Sequence, residues 1–302
     1  MENKTKIIVI GGPTATGKTK LSVELAKKFN GEIVSSDSVQ IYKRLDIGSA
    51  KPTKEEMAGI PHHLIDILEP DETFSAYDFV EHAKAAIDDI SSRGKLPIVV
   101  GGTGLYISSL VDNVSFAEGE NDLSLRKKLN DEAEKIGADA MHSKLSEIDP
   151  EAAEKIHPNN IKRVIRALEI YYTTGKTMTE HNAVSKLVES PYDAKMYALT
   201  TDRETIYSRI DARVDVMVDN GLIEEVSSLL ASGITRDMQS MQGIGYKEIV
   251  SYLEGEISKE EAIDAVKQNS RRYAKRQLTW FRRDERYTWL DINEKIDVSE
   301  LI

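Results

Sequence analysis

Residues 12–19 have the residue types and spacing of a phosphate-binding loop. They read Gly-Pro-Thr-Ala-Thr-Gly-Lys-Thr and fit the pattern G-x-x-x-x-G-K-[ST]. In such a loop the glycines let backbone N–H groups point at phosphate oxygens, while Lys18 adds positive charge and Thr19 offers an oxygen to Mg²⁺. An apolar run at residues 6–10 is typical of a buried strand, and apolar residues at four-residue spacing after the loop indicate a helix. The segment therefore predicts a site for a phosphate or diphosphate, whichever molecule carries it.

Asp37 is the second residue that could do chemistry. Residues 32–36 indicate a second strand, and Asp37 follows at its carboxyl end. A carboxylate beside a phosphate loop is placed to act as a general base or as a ligand of Mg²⁺. The same residue type favours Asx turns and helix N-caps, in which it hydrogen-bonds the local backbone instead. The sequence leaves these roles open.

Three predicted strands must position these groups. Residues 96–100 form the third strand, and residues 101–104, Gly-Gly-Thr-Gly, follow it. Each strand is a nearly continuous apolar run, and helical patterns separate the strands. This order predicts an α/β fold, a P-loop NTPase-like parallel sheet flanked by helices. Because ligands of such sheets bind beyond the carboxyl ends of the strands, we expect the turns at residues 12–19, 36–38 and 101–104 to share one crevice.

A helical pattern interrupts this core. From about residue 117 to residue 191 the strand signals disappear, and charged, helix-favouring sequence replaces them. Residues 195–200 return as a strand of the sheet, and the chain after it is mainly helical. We interpret residues 117–191 as a helical insertion domain, within a core made of residues 1–116 and 192–302.

The composition limits the partners and the compartment. Lys and Arg number 40 against 51 Asp and Glu, a net charge of −11, so a nucleic acid must bind at a local basic patch. The chain has no cysteine, which excludes disulfides, iron–sulfur clusters, thiolate zinc sites and a cysteine nucleophile. No stretch approaches the roughly 20 apolar residues of a membrane span, and the first apolar run is too short for a signal peptide. We expect a cytoplasmic protein without a membrane partner.

Two basic clusters could bind a polyanion. Lys162, Arg163 and Arg166 share one side of a predicted helix. Residues 271–283 interleave cations with aromatic residues, a composition suited to phosphate contact and base stacking. Either cluster could equally be a solvated helix face. Two of them in a chain with negative net charge favour an anion-binding surface.

The segment at residues 43–70 indicates a functional loop, because loops of this length without a role are uncommon. His62 and His63 lie in it, but no third ligand stands at a recognisable spacing, so we interpret them as surface or packing residues and not as zinc ligands. Two glycines two positions apart in residues 240–247 indicate a turn.

Eight segments together resemble the bacterial tRNA dimethylallyltransferases, also called tRNA isopentenyltransferases. They follow one another over nearly the whole chain, at residues 12–19, 36–42, 46–52, 61–66, 101–106, 163–169, 244–246 and 274–280. No single segment is specific, whereas eight in order are. Ser49 stands where many members have Thr, a small difference.

The resemblance implies a reaction on tRNA. The dimethylallyl group of dimethylallyl diphosphate moves to N6 of the adenine 3′ of the anticodon, in tRNAs that read codons beginning with U, and gives N6-isopentenyladenosine. It implies Mg²⁺ as cofactor, the anticodon stem-loop as partner and a monomeric enzyme. The catalytic residues by resemblance are Asp37 as the base that orients the amine, Lys18, and Thr103.

The resemblance also assigns binding residues. The diphosphate would be held by Gly12, Pro13, Thr14, Ala15, Thr16, Gly17, Lys18, Thr19 and an arginine for which we favour Arg209 over Arg213, and Mg²⁺ by Thr19. The tRNA would be contacted by Asp37, Ser38, Val39, Gln40, Thr103, Arg126, Lys162, Arg163, Arg166, Gln242, Gly243, Ile244, Gly245, Tyr246, Lys247, Lys275 and Arg276.

Two alternatives share the phosphate loop. A P-loop kinase of a nucleotide or small metabolite would also use Mg²⁺ and an Asp after the second strand, but the sequence shows no clear arginine-rich lid. A non-catalytic RNA-binding protein with a vestigial loop would give Asp37 no role.

Overall fold

Six β-strands form the central sheet. The computed structural model describes residues 4–114, 123–185 and 189–302. Within this part of the chain the strands are β1 (Thr5–Gly11), β2 (Gly31–Ser35), β3 (His62–His63), β4 (Leu96–Val100), β5 (Tyr192–Thr200) and β6 (Tyr287–Asp291). Branched apolar residues make up most of β1 and β4, and β2 contributes Ile33 and Val34. These side chains are mostly buried on both faces of the sheet, as expected for inner strands of a parallel sheet.

Helices cover the sheet and continue the chain. They are α1 (Lys18–Lys28), α2 (Lys54–Met57), α3 (Ala76–Ser92), α4 (Gly104–Val111), α5 (Leu123–Ile136), α6 (Ala138–Ile148), α7 (Pro150–Lys155), α8 (Ile161–Thr174), α9 (Met178–Ser185), α10 (Arg203–Asp219), α11 (Leu222–Ala231), α12 (Tyr246–Leu253) and α13 (Lys259–Phe281). At the start of α3, Ser75 and Asp78 form the capping box that their spacing indicates.

The strand order is β3-β2-β4-β1-β5-β6, and neighbouring strands are parallel. The predicted fold class, a parallel sheet flanked by helices, is confirmed. Because β2, β4 and β1 are adjacent, the turns that follow them lie side by side. Backbone bonds continue across these ends, from Ser36 N to Val100 O (2.8 Å) and from Gly101 N to Ile10 O (3.1 Å).

The two edge strands were not predicted from the sequence. β3 has only two residues, both histidines, and therefore carries no apolar run that could indicate a strand. β6 follows the long helix α13 and is only partly buried beyond its first residue, so the sequence did not indicate this short strand within a segment that is mainly helical, as expected. β5 also begins at Tyr192, three residues before the predicted strand.

The chain divides into two compact units. One comprises Met1–Val111 and Pro191–Ile302, and the other comprises Asp112–Ser190. The second unit contains α5 to α9, which pack around a core that includes the fully buried Met141, Leu145 and Leu168. The boundary expected between residues 116 and 117 lies outside the described residues.

Lys51 fixes the long loop between β2 and α3. Its side chain is only 6% exposed, and its ammonium group donates to Tyr42 O (2.9 Å) and pairs with Asp46 and Asp66, both at 2.5 Å. A buried lysine with two carboxylate partners holds distant parts of a loop in one arrangement. None of the helices in the described part of the chain is long and apolar enough to cross a membrane.

Glu32 is expected to stabilise the fold through its charge. Its carboxylate is 2% exposed and accepts hydrogen bonds from Arg93 (2.5 and 2.8 Å) and Lys95 (2.6 Å), while His63 Nε2 lies 2.8 Å away. The bonds from Arg93, then those from Lys95 and His63, outweigh burial and hold the pKa of Glu32 well below its usual range. We expect Glu32→Gln to lower the free energy of unfolding at pH 7 by about 2–3 kcal/mol, the cost of a lost charged hydrogen bond.

The pH dependence of the free energy of unfolding tests this role of Glu32. A carboxyl group with a lowered folded-state pKa stabilises the fold above its unfolded pKa, about 4.3, and loses this effect as the pH falls below that value. Urea unfolding between pH 7 and pH 3 should therefore show a smaller acid loss for Glu32→Gln than for the wild type. The exposed Glu81→Gln is the control. Equal acid loss in the wild type and Glu32→Gln would contradict this role.

Candidate active site

The phosphate loop connects β1 to α1 and is shaped by backbone constraints. Gly12 has φ +126°, and a Cβ there would lie 2.7 Å from Leu199 O, so no other residue fits. Ala15 and Gly17 also have positive φ values, of 65° and 82°. The Thr16 hydroxyl donates to Pro13 O at 2.8 Å and closes the loop. The loop therefore ends at the N-terminus of α1, where free backbone N–H groups favour an anion.

Lys18 is held inside this loop. Its Nζ donates to Gly12 O (3.0 Å) and Pro13 O (2.7 Å). Burial, followed by the charge of Arg213, lowers the pKa of Lys18 to about 7, and Asp37 opposes the shift. A cation that is both enclosed and repelled by another cation indicates that the site is built for an anion, which would restore the lysine charge.

Arg213 is the arginine that reaches the loop. It lies on α10, and its Nη1 donates to the Thr14 hydroxyl at 3.1 Å. Arg213 is solvent-exposed like Arg209, but partial desolvation of its guanidinium group lowers the pKa of Arg213, and Glu56 and Asp37 oppose the shift. Arg209, the arginine favoured from the sequence, is exposed one helical turn earlier and, of these two described arginines, only Arg213 lines the cavity. The structure therefore places Arg213, and not the favoured Arg209, beside the loop, because the loop lies beside the later turn of the helix.

Asp37 forms a turn at the end of β2 and also lines the cavity. Its Oδ1 accepts hydrogen bonds from Val39 N (2.8 Å) and Gln40 N (3.2 Å), which is the predicted Asx-type turn. Both of its hydrogen bonds to described residues end on Oδ1. The turn therefore fixes the carboxyl group and leaves Oδ2 available to a ligand in the cavity that Asp37 lines.

Gln277 joins the phosphate loop to the turn after β4. The side chain is 5% exposed; its Oε1 accepts from Thr14 N and its Nε2 donates to Gly102 O, both at 3.0 Å. A Cβ on Gly102 would lie 2.0 Å from this Nε2, so a larger residue there would displace the Gln277 amide from its two bonds. The next residue, Thr103, accepts backbone bonds that start α4. Its hydroxyl is buried and, among the described side chains, has no hydrogen-bond partner.

All three turns line one cavity of about 530 Å³. The lining residues that were predicted from the sequence are Thr14, Ala15, Gly17, Lys18, Thr19, Asp37, Ser38, Val39, Gln40, Gln242, Gly243, Ile244, Lys247 and Arg276. Gly12, Pro13 and Thr16 shape the loop from behind, and the exposed Lys275 lies beside Arg276 on α13. The described cavity wall also includes Arg213, Tyr273 and Gln277, to which the sequence had assigned no preferred role.

Gly245 and Tyr246 support the cavity instead of lining it. Tyr246 is completely buried at the start of α12, and its ring packs against Gly48, where a Cβ would lie 2.6 Å from Cε2. Gly245 has φ +99° and lies against the same glycine. These two residues therefore hold the loop around Gly48 in place.

The predicted RNA contacts of the helical unit have different environments. Lys162 and Arg163 are exposed at the start of α8. Arg126 donates to the buried Glu169 through Nε (2.7 Å) and Nη2 (3.1 Å), and Arg166 lies 3.6 Å from the same carboxylate. Arg126 thus has a structural partner, which no sequence pattern indicated because Glu169 lies 43 positions away.

Oxygen donors suited to Mg²⁺ face the cavity. The Thr19 hydroxyl and the Asp37 carboxylate are hard ligands of the kind this ion prefers. The described residues contain no group of three or more acidic, histidine or cysteine side chains that could hold a metal. Mg²⁺ commonly needs only one or two protein ligands, because phosphate oxygens and water complete its shell. The residues present therefore fit a Mg²⁺ that arrives with a diphosphate.

A parallel α/β sheet whose phosphate loop shares a cavity with a carboxylate defines a phosphate-binding protein of the P-loop class. The model of the IPP transferase family matches residues 40–284. A tRNA dimethylallyltransferase of Bacillus cereus is 52% identical over 299 residues, which cover 99% of this chain and 94% of the relative. This chain belongs to the IPP transferase family, as its sequence motifs predicted.

Solved structures agree with this assignment. The tRNA isopentenylpyrophosphate transferase of Bacillus halodurans has a TM-score of 0.74 at 50% identity, with 98% of this chain and 94% of that chain covered. A eukaryotic dimethylallyltransferase, solved in crystallographic snapshots of its action on tRNA, has a TM-score of 0.82 at 34% identity, with 95% and 74% covered. The alternatives of a small-metabolite kinase and a non-catalytic RNA-binding protein are therefore wrong.

Proposed function

We propose that this tRNA-prenylating enzyme uses dimethylallyl diphosphate as donor and N6 of the adenine 3′ of the anticodon as acceptor, in tRNAs that read codons beginning with U. Transfer of a prenyl group to tRNA is the activity of the family. The observation that supports this donor and this acceptor is the shared cavity, which the cationic phosphate loop and Asp37 both line.

The loop and Arg213 form the donor end. As the allylic C–O bond breaks, negative charge grows on the departing diphosphate, and groups already aimed at that charge stabilise the transition state. Lys18, the backbone N–H groups at the start of α1 and Arg213 supply such groups. Mg²⁺ held by Thr19 would neutralise further diphosphate charge when bound.

Asp37 forms the acceptor end. The lone pair of an adenine amine is delocalised into the ring, so the amine is a weak nucleophile. We assign to Asp37 Oδ2 the roles of orienting this amine and accepting its proton as the new C–N bond forms. The adenine must leave its stack to reach the cavity, as in other enzymes that modify a base.

The RNA would bind at the remaining predicted residues. Ser38 to Gln40, Gln242 to Ile244, Lys247 and Arg276 line the cavity, and Lys162, Arg163 and Lys275 are exposed cations. We retain Arg126, Arg166 and Thr103 as RNA contacts, with Glu169 orienting the two arginines. We propose that the enzyme acts in the cytoplasm as a monomer.

Two stem-loops that differ only at the acceptor base test this proposal. With dimethylallyl diphosphate and Mg²⁺, we expect prenyl transfer to the stem-loop with adenosine 3′ of the anticodon. The matched stem-loop with inosine there should stay unmodified, because inosine lacks the exocyclic amine. Chelation of Mg²⁺ should slow transfer to the first RNA. Equal transfer to both RNAs would place the prenyl group elsewhere and contradict the proposed acceptor.

A further inference from the structure

Glu225, on α11, binds four donors from two other segments of the chain. Its Oε2 accepts the backbone N–H groups of Asp46 (3.0 Å) and Ile47 (2.8 Å), and its Oε1 accepts that of Gly48 (3.1 Å). Oε1 also accepts the hydroxyl of Tyr246 at 2.8 Å. Three successive N–H groups that converge on one carboxylate form an anion-binding concavity of the backbone, which here is filled by a side chain.

The contact is specific for a carboxylate. All four partners are donors, and only an ionised carboxyl group offers them acceptor sites on both oxygens. Burial and the charge of Glu225 raise the pKa of Tyr246, so its hydroxyl stays protonated and continues to donate. Gly48 lets the backbone approach the Tyr246 ring, as described above.

Both segments held by Glu225 continue into the cavity wall. Gly48, Ser49 and Ala50 line the cavity on one side, and residues 242–244 line it on the other. Gln40 donates to Ser49 O and Ala50 O, both at 3.2 Å. The backbone of Gln40 in turn donates to Asp37. Hydrogen bonds joined by the backbone of residues 48–50 and by Gln40 therefore connect Glu225 to Asp37, although the described lining residues do not include Glu225.

We propose that Glu225 is a positioning residue for the acceptor RNA. It holds the wall formed by residues 48–50 and 242–244 in the arrangement that receives the flipped adenine and its neighbours. The donor end is fixed by other contacts, those of Thr14 with Gln277 and Arg213, so Glu225 acts on RNA recognition and leaves donor binding unchanged. This role rests on the proposed function of the cavity.

Glu225→Gln tests the role with little change in side-chain shape. The amide turns an NH₂ group toward donors that need an acceptor, so the loop should shift. We expect the KM for the adenosine stem-loop to rise about tenfold, which corresponds to about 1.4 kcal/mol, while the KM for dimethylallyl diphosphate stays constant. Glu224→Gln, at the exposed neighbouring position of the same helix, is the matched control and should behave as the wild type.

Two results would overturn the positioning role of Glu225. They are an unchanged KM for the stem-loop in Glu225→Gln and an equal rise in both KM values. If Glu225→Gln does not fold, Gly48→Ala replaces it, because the added Cβ displaces the same loop from Tyr246 and should raise the same KM selectively. A wild-type enzyme that transfers no prenyl group to either RNA overturns the proposed function itself.

Discussion

Asp37→Asn is expected to lower kcat for prenyl transfer by about 10²–10⁴-fold, the usual contribution of a general base. The amide keeps an oxygen for the bonds from Val39 N and Gln40 N, so the turn should survive. It cannot accept the amine proton, however. We therefore expect the dissociation constant of the stem-loop to remain close to that of the wild type while the chemical step becomes slow.

Single-turnover transfer together with equilibrium binding of the stem-loop separates the two effects. Asp71→Asn, at an exposed position outside the cavity, is the control for the same change of charge. Weaker RNA binding with an unchanged transfer rate would show that Asp37 is only a binding residue.

Lys18→Met is expected to lower kcat/KM for the donor by about 10²–10³-fold, the loss typical when one group that stabilises transition-state charge is removed. Met keeps the length of the side chain but brings no charge to the diphosphate. Lys27→Met, at an exposed position near the end of α1, is the matched control and should have no effect. A donor kcat/KM that stays within the range of the control would exclude Lys18 from the site.

The pH dependence of donor binding provides a second test of Lys18. Burial and Arg213 lower the pKa of Lys18 to about 7 in the free enzyme. Because the diphosphate binds the protonated amine, donor binding should take up protons and weaken as the pH rises above about 7. Calorimetry in buffers of different ionisation enthalpy measures this uptake. Lys18→Met should remove it and keep only the titration of the donor itself.

The sequence predicts the parts of this enzyme that depend on local pattern. Buried strands and the phosphate loop carry short signatures, and the order of strands and helices then brings the three turns to one end of the sheet. The Asx turn of Asp37 and its position at the cavity could both be predicted, because both depend on its place after β2.

Contacts between residues that are distant in the chain could not be predicted from such local patterns. Gln277 meets Thr14 across 263 positions, and Glu225 meets Ile47 across 178 positions, with no periodic pattern to connect them. Arg209 and Arg213 are four residues apart and share a helix face, so only the position of α10 along the loop distinguishes them. The edge strands β3 and β6 lack the apolar runs that identify inner strands.

The most direct test of the proposed prenyl transfer is a single-turnover reaction with labelled dimethylallyl diphosphate, Mg²⁺ and the adenosine stem-loop, in the absence of ATP. We expect the label to enter the RNA and one diphosphate to be released for each prenyl group transferred. Nuclease digestion should find the label on the adenine 3′ of the anticodon. Phosphate transfer from ATP to a small acceptor, without label in the RNA, would contradict the proposed transfer.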